Sequence, residues 1–240
     1  MIDLKNKKVL ITGSTDGLGL LLAKELAKLG CNVIVQGRDQ NKIDNVVEEL
    51  RKLNPKGKFE SVLCDFNKPE TIKNAFFKVY ELDILINNVG IWHEGKTVET
   101  NIDRAIELVN VNLMSCITVT RLLLDKLEKS KQSQILNISS VAGYEVPKDY
   151  FHTVYSATKY GIAGFSEALA KEFEGKTLRV MGFYPGGMQT SFFQKAGMNY
   201  KAKENWMFDS MESVEAIIFM LTRNPKVNVK RMDLINQLFE

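Results

Sequence analysis

The chain has 240 residues, of which 45% are hydrophobic and 25% are charged, so it can bury a sizeable core without disulfides or metals. Its 32 basic and 29 acidic residues leave a net charge of +3 with the signs interspersed, which argues against a nucleic-acid partner. The three cysteines form no CxxC pair, which favours a reducing compartment over a disulfide framework. We predict one domain over residues 1–240, without repeats or linkers.

The N-terminus lacks the basic start, apolar stretch and cleavage site of a signal peptide. The richest apolar stretches, such as 18–29, are interrupted by lysine and glutamate, so no stretch approaches the roughly 20 apolar residues of a membrane span. We therefore expect a cytoplasmic protein that has no membrane partner.

Short β-branched runs alternate along the chain with longer segments of helical periodicity. The predicted strands are 8–11, 32–36, 59–63, 82–86, 135–138 and 178–183, and 227–235 has the pattern of a further strand. The predicted helices are 18–29, 40–53, 69–80, 102–129, 154–173 and 213–221. This alternation predicts an α/β fold: a single-domain, doubly wound parallel sheet, Rossmann-like, with helices on both faces and a ligand crevice at the carboxyl ends of the strands.

Three glycines, Gly13, Gly17 and Gly19, lie between the first predicted strand and the first predicted helix. Glycine permits a tight turn and a close approach of backbone N–H groups to a pyrophosphate at a helix N-terminus. The spacing departs from G-x-G-x-x-G, and a glycine cluster alone also fits a structural turn. The strand, glycine and helix order is nevertheless the context that dinucleotide binding requires.

Tyr155 and Lys159 are four residues apart on a predicted helix and therefore share one face. A neighbouring cation stabilises a phenolate and lowers the tyrosine pKa from about 10 toward the working range of a general base. Taken alone, the pair also fits a solvated helix face. Just upstream, Ser139 and Ser140 end the fifth predicted strand at the crevice edge, where a hydroxyl can bind a substrate carbonyl.

Together these motifs resemble those of the short-chain dehydrogenase/reductase family, over nearly the whole chain. The matching segments, in family order, are Thr12-Gly13-x-x-x-Gly17-x-Gly19, Asn87-Asn88-Val89-Gly90 with valine for the usual alanine, and Tyr155-x-x-x-Lys159. The resemblance implies an enzyme that transfers a hydride between a nicotinamide dinucleotide and a carbonyl or alcohol.

The resemblance also implies site residues. Tyr155 would be the general acid/base, Lys159 would bind the nicotinamide ribose and depress the tyrosine pKa, and Ser140 would orient the carbonyl, with Ser139 turned into the fold. Asn112 matches the asparagine that holds a water in the proton relay. The implied cofactor-binding residues are Gly13, Ser14, Thr15, Gly17, Leu18, Gly19, Asp65, Phe66, Asn88, Gly90, Tyr155, Lys159, Pro185, Gly186 and Thr190.

The choice of dinucleotide depends on the charge after the second predicted strand. NAD-specific family members usually carry an acid there, whereas an arginine can face a 2′-phosphate. Gly37 stands at the acid's position and Arg38 follows it, which favours NADP(H) over NAD(H). Arg38 is alternatively a solvated loop cation, and Asp16 and Asp39 add opposing charge nearby.

Several features concern the substrate side. Residues 188–211 are predicted to cover the crevice and to favour a largely apolar substrate. Their apolar side chains also fit core packing or a subunit interface. These side chains are Met188, Phe192, Phe193, Met198, Tyr200, Trp206, Met207 and Phe208. The loop 145–149 is expected to bulge at the site entrance. His93 and His152 are more typical of hydrogen-bonded loop residues than of catalysts, and neither has the companions of a metal site.

We therefore predict an NADP(H)-dependent reductase of a small-molecule carbonyl compound, without a metal. An NAD-dependent alcohol dehydrogenase is the alternative within the enzymes. A non-catalytic dinucleotide sensor of the same fold is the alternative from another class, because fold does not fix function. The helices at 102–129 and 154–173 carry more apolar positions than one sheet face can cover, which predicts a homodimer or homotetramer.

Overall fold

The computed structural model describes residues 2–148, 150–201 and 203–237, and within these ranges seven strands form one parallel sheet. The strands are β1 (Lys8–Ile11), β2 (Asn32–Gly37), β3 (Glu60–Leu63), β4 (Ile84–Asn87), β5 (Gln134–Ile138), β6 (Arg179–Pro185) and β7 (Arg231–Leu234). Their order in the sheet is β3-β2-β1-β4-β5-β6-β7, and every pairing is parallel. The predicted doubly wound sheet is confirmed, and the C-terminal segment supplies its last strand.

The helices cover both faces of this sheet. They are α1 (Gly17–Lys28), α2 (Gln40–Leu53), α3 (Pro69–Phe76), α4 (Ile102–Leu108), α5 (Ser115–Lys129), α6 (Thr153–Glu172), α7 (Phe192–Lys195) and α8 (Ser210–Leu221). A π-helical turn, Val109–Met114, joins α4 to α5, so the helix predicted over 102–129 is continuous but not uniform.

Two predicted helix boundaries were wrong. α3 stops at Phe76 because the next aromatic rings, Phe77 and Tyr80, are about three-quarters exposed and offer no buried face to continue the helix. α8 begins at Ser210, three residues early, because the Asp209 carboxylate accepts a hydrogen bond from the Met211 backbone N–H and caps the helix.

Successive side chains of a strand point to opposite faces of the sheet, so the core has two layers, one on each face. In β1, Val9 and Ile11 face the layer that holds α1, α2 and α8, whereas Leu10 faces the layer that holds α3, α5 and the end of α6. All three side chains are fully buried. Because both faces are covered, the site can form only where the sheet ends.

The helix formed by α4 and α5 is long and apolar enough, by length and composition, to cross a membrane. The expectation that no stretch approaches that limit was therefore wrong. Its Val119, Leu123 and Leu127 side chains are buried in the core layer beside α3, as in the core helix of a globular protein.

Candidate active site

A cavity of about 890 Å³ lies at the carboxyl ends of the strands. Each strand is followed within two residues by one that lines it: Gly13, Arg38, Asp65, Asn88, Ser140, Gly186 and Ile235. β1 lies between β2 and β4, so the strand order changes direction at β1. The crevice opens at this point of the sheet. The sheet topology thus brings most of the predicted site residues to one place.

The glycine loop between β1 and α1 is closely packed. Gly13 has a φ of +65°, and a Cβ there would lie 3.0 Å from the Val89 Cα. A Cβ on Gly19 would lie 2.6 Å from Asn88 Nδ2 and would clash with the Gly13 carbonyl oxygen. These two positions require glycine because the backbone of the loop lies against the β4 loop.

Buried polar side chains hold this loop in place. The Thr12 hydroxyl accepts hydrogen bonds from the backbone N–H groups of Asn88 (2.9 Å) and Val89 (3.0 Å). The Gln36 amide accepts from the Gly13 N–H (2.8 Å) and donates to the Cys64 carbonyl (2.9 Å), which links β1, β2 and β3. The sequence analysis missed Gln36, although a glutamine among β-branched strand residues was a usable signal.

Tyr155 and Lys159 lie buried on the same side of α6, as their spacing predicts. The Lys159 Nζ is 5.6 Å from the centre of the Tyr155 ring and donates to the Ile138 carbonyl (3.0 Å). The Ser139 hydroxyl donates to the Lys159 carbonyl (2.9 Å), so Ser139 is turned into the fold, as expected, while Ser140 stays on the cavity wall.

The pKa of Tyr155 does not follow the sequence-based expectation. Burial raises this pKa above its ordinary value of about 10, and the contact with the Ser140 hydroxyl lowers it by less. Burial also lowers the pKa of Lys159 to about 8. Desolvation is the larger cause of both shifts, so the phenol keeps its proton at neutral pH.

Asn112 lies in the π-helical turn and is fully buried. Its Oδ1 accepts from the Ile91 N–H (2.8 Å), and its Nδ2 donates to the Ile91 carbonyl (3.0 Å) and to the Thr158 hydroxyl (3.2 Å). The side chain therefore fixes the loop after β4 to α6. A Cβ on Gly90 would lie 3.6 Å from Asn112 Oδ1 and 3.7 Å from Lys159 Nζ, so this glycine leaves open space beside them.

Arg38 lies exposed on the cavity rim and makes no ion pair with any other described residue. The two nearby acids are occupied elsewhere: Asp39 caps α2, and Asp16 caps α1 and pairs with Lys195. A Cβ on Gly37 would lie 2.6 Å from Thr15 Cγ2, so an acid at this position would force the Thr15 side chain of the glycine loop to move.

At the edge of the cavity near β3, Asp65 lies on the lining, and its carboxylate accepts from the Asn67 N–H (3.0 Å). The Phe66 ring is mostly buried and stacks on Phe76. Most of the remaining predicted cofactor residues also line the cavity: Thr15, Gly17, Leu18, Pro185 and Thr190. Ser14 and Gly19 do not: Ser14 is fully buried and bonded to the Gln36 backbone, and Gly19 is packed against Gly13 and Asn88.

Aromatic rings line the opposite end of the cavity. The Trp92 ring centre lies 4.4 Å from that of Tyr155, 5.2 Å from that of His152 and 5.0 Å from that of Phe193. The cover segment, residues 188–211 without Ala202, which lies outside the described residues, contributes most of the other side chains. They are Met188, Thr190, Ser191, Phe192, Lys195, Tyr200 and Trp206; Met198, Met207 and Phe208 do not line the cavity.

Polar side-chain links connect the cover segment to the rest of the cavity wall. On one side, Lys195 forms an ion pair with Asp16, and the Ser191 hydroxyl lies 3.3 Å from the same carboxylate. On the other side, the Tyr200 hydroxyl donates to Glu94 (3.2 Å), and the Asn236 side chain donates to the Asn205 carbonyl (2.8 Å). Glu94 was not among the predicted site residues, because only the folded chain brings it to the cavity.

The histidines are hydrogen-bonded within the protein. The His152 Nδ1 lies 2.7 Å from the Ser156 hydroxyl, and burial lowers its pKa. The His93 Nε2 lies 3.2 Å from the Thr100 hydroxyl, and His93 does not line the cavity. Throughout residues 2–148, 150–201 and 203–237, no three His, Cys, Asp or Glu side chains are grouped as metal ligands. The predicted bulge at 145–149 includes Asp149, which lies outside the described residues.

A family model described as short chain dehydrogenase matches residues 7–201. The chain belongs to this family. It is 33% identical over 230 residues to a 3-oxoacyl-(acyl-carrier-protein) reductase of Aquifex aeolicus, covering 92% of this chain and 91% of that protein.

Solved structures of short-chain oxidoreductases share the fold. An alcohol dehydrogenase from Thermococcus sibiricus, complexed with 5-hydroxy-NADP, superposes with a TM-score of 0.88 at 21% identity over 98% of this chain and 99% of that one. A 3-oxoacyl-(acyl-carrier-protein) reductase from Brucella melitensis with bound NAD gives 0.82 at 25% identity over 96% and 90%. The recognition of the family from sequence is confirmed.

Proposed function

We propose that this protein is an NADP(H)-dependent oxidoreductase that interconverts a carbonyl compound and an alcohol. The observation that carries the proposal is the convergence of Tyr155, Ser140 and Lys159 on one cavity that also contains the glycine loop. A buried, protonated phenol beside a hydroxyl suits the protonation of a carbonyl oxygen. The family membership supports the same reaction class.

The residues present fit a nicotinamide dinucleotide. The first turn of α1 lines the cavity at Gly17 and Leu18, where the N-terminus of a helix favours an anion, and Gly90 leaves space beside Lys159. The similar structures complexed with 5-hydroxy-NADP and with NAD support this class of cofactor. The unpaired guanidinium of Arg38 on the rim favours the 2′-phosphate and therefore NADP(H).

The chain's own residues supply orientation and the proton. The cofactor, when bound, supplies the hydride that reaches the carbonyl carbon. The Ser140 hydroxyl donates a hydrogen bond to the carbonyl oxygen, and the Tyr155 hydroxyl transfers its proton to that oxygen, which completes the alcohol. Lys159 binds the ribose hydroxyls and stabilises the phenolate that remains until solvent returns the proton, and Trp92 excludes water from the Tyr155 ring.

Replacing Tyr155 with Phe tests the proposal directly. The ring remains and the proton is lost, so kcat for NADPH-dependent reduction of aldehydes and ketones should fall by about 10²- to 10⁴-fold while NADPH affinity changes only a few fold. The matched control is Tyr160→Phe, a half-exposed tyrosine of the same helix that does not line the cavity. Turnover retained in the Tyr155 variant would refute the assignment.

We also propose that two copies pair through the surface beside α4 and α6. Several apolar side chains are exposed there, namely Val98, Ile102, Ile106, Val109, Met114 and Tyr160. Ile102, Ile106 and Val109 border a groove of about 420 Å³ that also includes Val154 of α6. A twofold pairing would cover these groups. Sedimentation of a monomer at micromolar concentration would contradict this assembly.

A further inference from the structure

The two ends of the cavity differ in the charges that line them. The dinucleotide end contains the three cations of the described lining together with two acids; they are Arg38, Lys159, Lys195, Asp16 and Asp65. Lys195 pairs with Asp16, and Lys159 is buried beside Gly90. The substrate end, near Trp92, contains two acids, Glu94 and Glu145, and no lysine or arginine of the described lining. A cation is therefore favoured at the substrate end.

Glu94 is partly buried and lacks a counter-ion. Its Oε2 accepts a hydrogen bond from the Tyr200 hydroxyl (3.2 Å), and it forms no ion pair with any described residue. The Glu94 charge also acts on the His152 ring, but burial is the larger effect and lowers the His152 pKa, so this ring is neutral at pH 7. A partly buried carboxylate without a cation attracts one more strongly than a solvated carboxylate does.

The tyrosine that bonds to this carboxylate belongs to a cluster of aromatic rings. The Tyr200 ring that bonds to Glu94 has its centre 5.6 Å from that of Phe193 and 5.6 Å from that of Trp206. Trp92, two residues before Glu94, lies between this cluster and Tyr155. Aromatic faces with an adjacent carboxylate are the chemistry that recognises organic ammonium groups.

We propose that this cavity selects carbonyl substrates that carry a protonated amine or quaternary ammonium group, with Glu94 as the residue that determines this preference. The inference rests on the proposed function, because the carbonyl is assigned to Tyr155. The ammonium group lies against Glu94 and the Tyr200 ring, while the apolar body of the substrate contacts Trp92 and Phe193.

The first test compares aryl methyl ketones of one shape that differ only in the para substituent: trimethylammoniomethyl, hydroxymethyl or carboxymethyl. For the unaltered protein, kcat/KM with NADPH should be about tenfold higher for the cationic ketone than for the neutral one. The anionic ketone should be the poorest substrate. Equal values for the cationic and neutral ketones would overturn the proposal.

Two variants separate the charge of Glu94 from its hydrogen bond. Glu94→Gln keeps an acceptor for Tyr200 and removes the charge, so the preference for the cation should fall to within about twofold while the neutral ketone is reduced nearly as before. Tyr200→Phe removes the hydrogen bond and keeps the charge, so the preference should persist. The matched control is Glu99→Gln, an exposed acid outside the cavity. Loss of the preference in Tyr200→Phe but not in Glu94→Gln would show that Glu94 only holds the cover segment.

Binding can be measured without turnover, because the chain has two tryptophans and both line the cavity. Titration with benzyltrimethylammonium should change tryptophan fluorescence at lower concentration than titration with the anion phenylacetate, and Glu94→Gln should remove the difference. Binding of the cation without reduction of any ketone would refute the proposed function and leave the cation site standing. Reduction of ketones without a cation preference would refute the cation site alone.

Discussion

The glycine loop and the cover segment close the same cavity by different means. The loop is held by buried hydrogen bonds from Thr12, Gln36 and Asn88 to backbone groups. The cover segment is held mainly by contacts between aromatic rings and by side-chain links that include Lys195 to Asp16 and Tyr200 to Glu94. Buried polar networks have one satisfied geometry, whereas exposed ion pairs form and break with little cost.

This difference separates two tasks. The half that binds the dinucleotide is shaped before any ligand arrives, so changes there should alter stability and cofactor affinity together. The half that contacts the substrate is held weakly, so changes there should alter substrate preference while the fold remains intact. The following substitutions test that separation.

The largest expected effect follows from Lys159→Met. Removing the ammonium should lower kcat/KM by about two orders of magnitude and weaken the binding of the dinucleotide. The same ammonium group binds the ribose and stabilises the phenolate. Loss of rate with unaltered cofactor affinity would refute the ribose contact.

The same variant tests the lowered pKa of Lys159, which is about 8 in the folded protein and about 10.5 when unfolded. Between these two pKa values the unfolded state binds more protons than the folded state, so the stability of the parent protein rises with pH through this range. Below about pH 8 the folded protein carries the full cost of the buried Lys159 charge. In urea unfolding, the free energy of unfolding of Lys159→Met relative to that of the parent should therefore be higher at pH 7 than at pH 10. An equal difference at both pH values would contradict the lowered pKa.

A smaller effect is expected for Gln36→Leu. The Gly13 N–H and the Cys64 carbonyl would each lose a partner, so the free energy of unfolding should fall by about 2–4 kcal/mol and dinucleotide affinity should fall with it. The control is Gln40→Leu, an exposed glutamine at the start of α2, which should change stability by less than about 0.5 kcal/mol. Similar losses in both variants would show that the network does not hold the loop.

Arg38→Ala should weaken NADPH binding by about 10- to 100-fold and leave NADH binding within about twofold, because only the 2′-phosphate contact is lost. Dissociation constants are measured at fixed ionic strength, since salt screens exposed charges. Arg51→Ala on the exposed side of α2 serves as the matched control. If Arg38→Ala weakens both cofactors equally, the preference for NADP(H) is refuted.

The smallest effect on stability is expected for Lys195→Ala. Both partners of its ion pair are about half exposed, so the free energy of unfolding should change by no more than about 0.5 kcal/mol. Proteolytic cleavage within 188–201 should nevertheless become faster, because the ion pair that links this part of the cover segment to α1 is gone. Lys171→Ala, which breaks another exposed pair, should leave this cleavage unchanged. A large loss of stability in Lys195→Ala would contradict the separation of the two halves.

Local patterns in the sequence predicted most of the fold. α2 has its predicted bounds because its apolar face is regular and Asp39 caps it. The π-helical turn at Val109–Met114 was not predicted, because the apolar pattern of 102–129 continues through it. It brings Asn112 against Ile91, a contact between residues 21 positions apart that no local pattern specifies.

The residues of the candidate site were predictable only where they belong to a sequence motif. Tyr155, Lys159 and the glycine loop follow from spacing, and Tyr155, Lys159, Gly13 and Gly17 line the cavity. The direction of the Tyr155 pKa shift was not predictable, because it depends on how deeply the folded chain buries the phenol. Glu94 and Tyr200 are 106 residues apart, so their contact exists only in the folded chain.

Strand order also governs what a growing polypeptide exposes while it leaves the ribosome. β4, β5, β6 and β7 join the same side of the sheet in the order of their synthesis. β4 and β5 are buried throughout and contain no charged residue, so each presents an unprotected edge until the next strand is made. Only β7, with the exposed Arg231 and Asp233 side chains, gives that side a charged edge. A chain that stalls before residue 231 therefore carries a surface prone to aggregation, and β7 completes its protection.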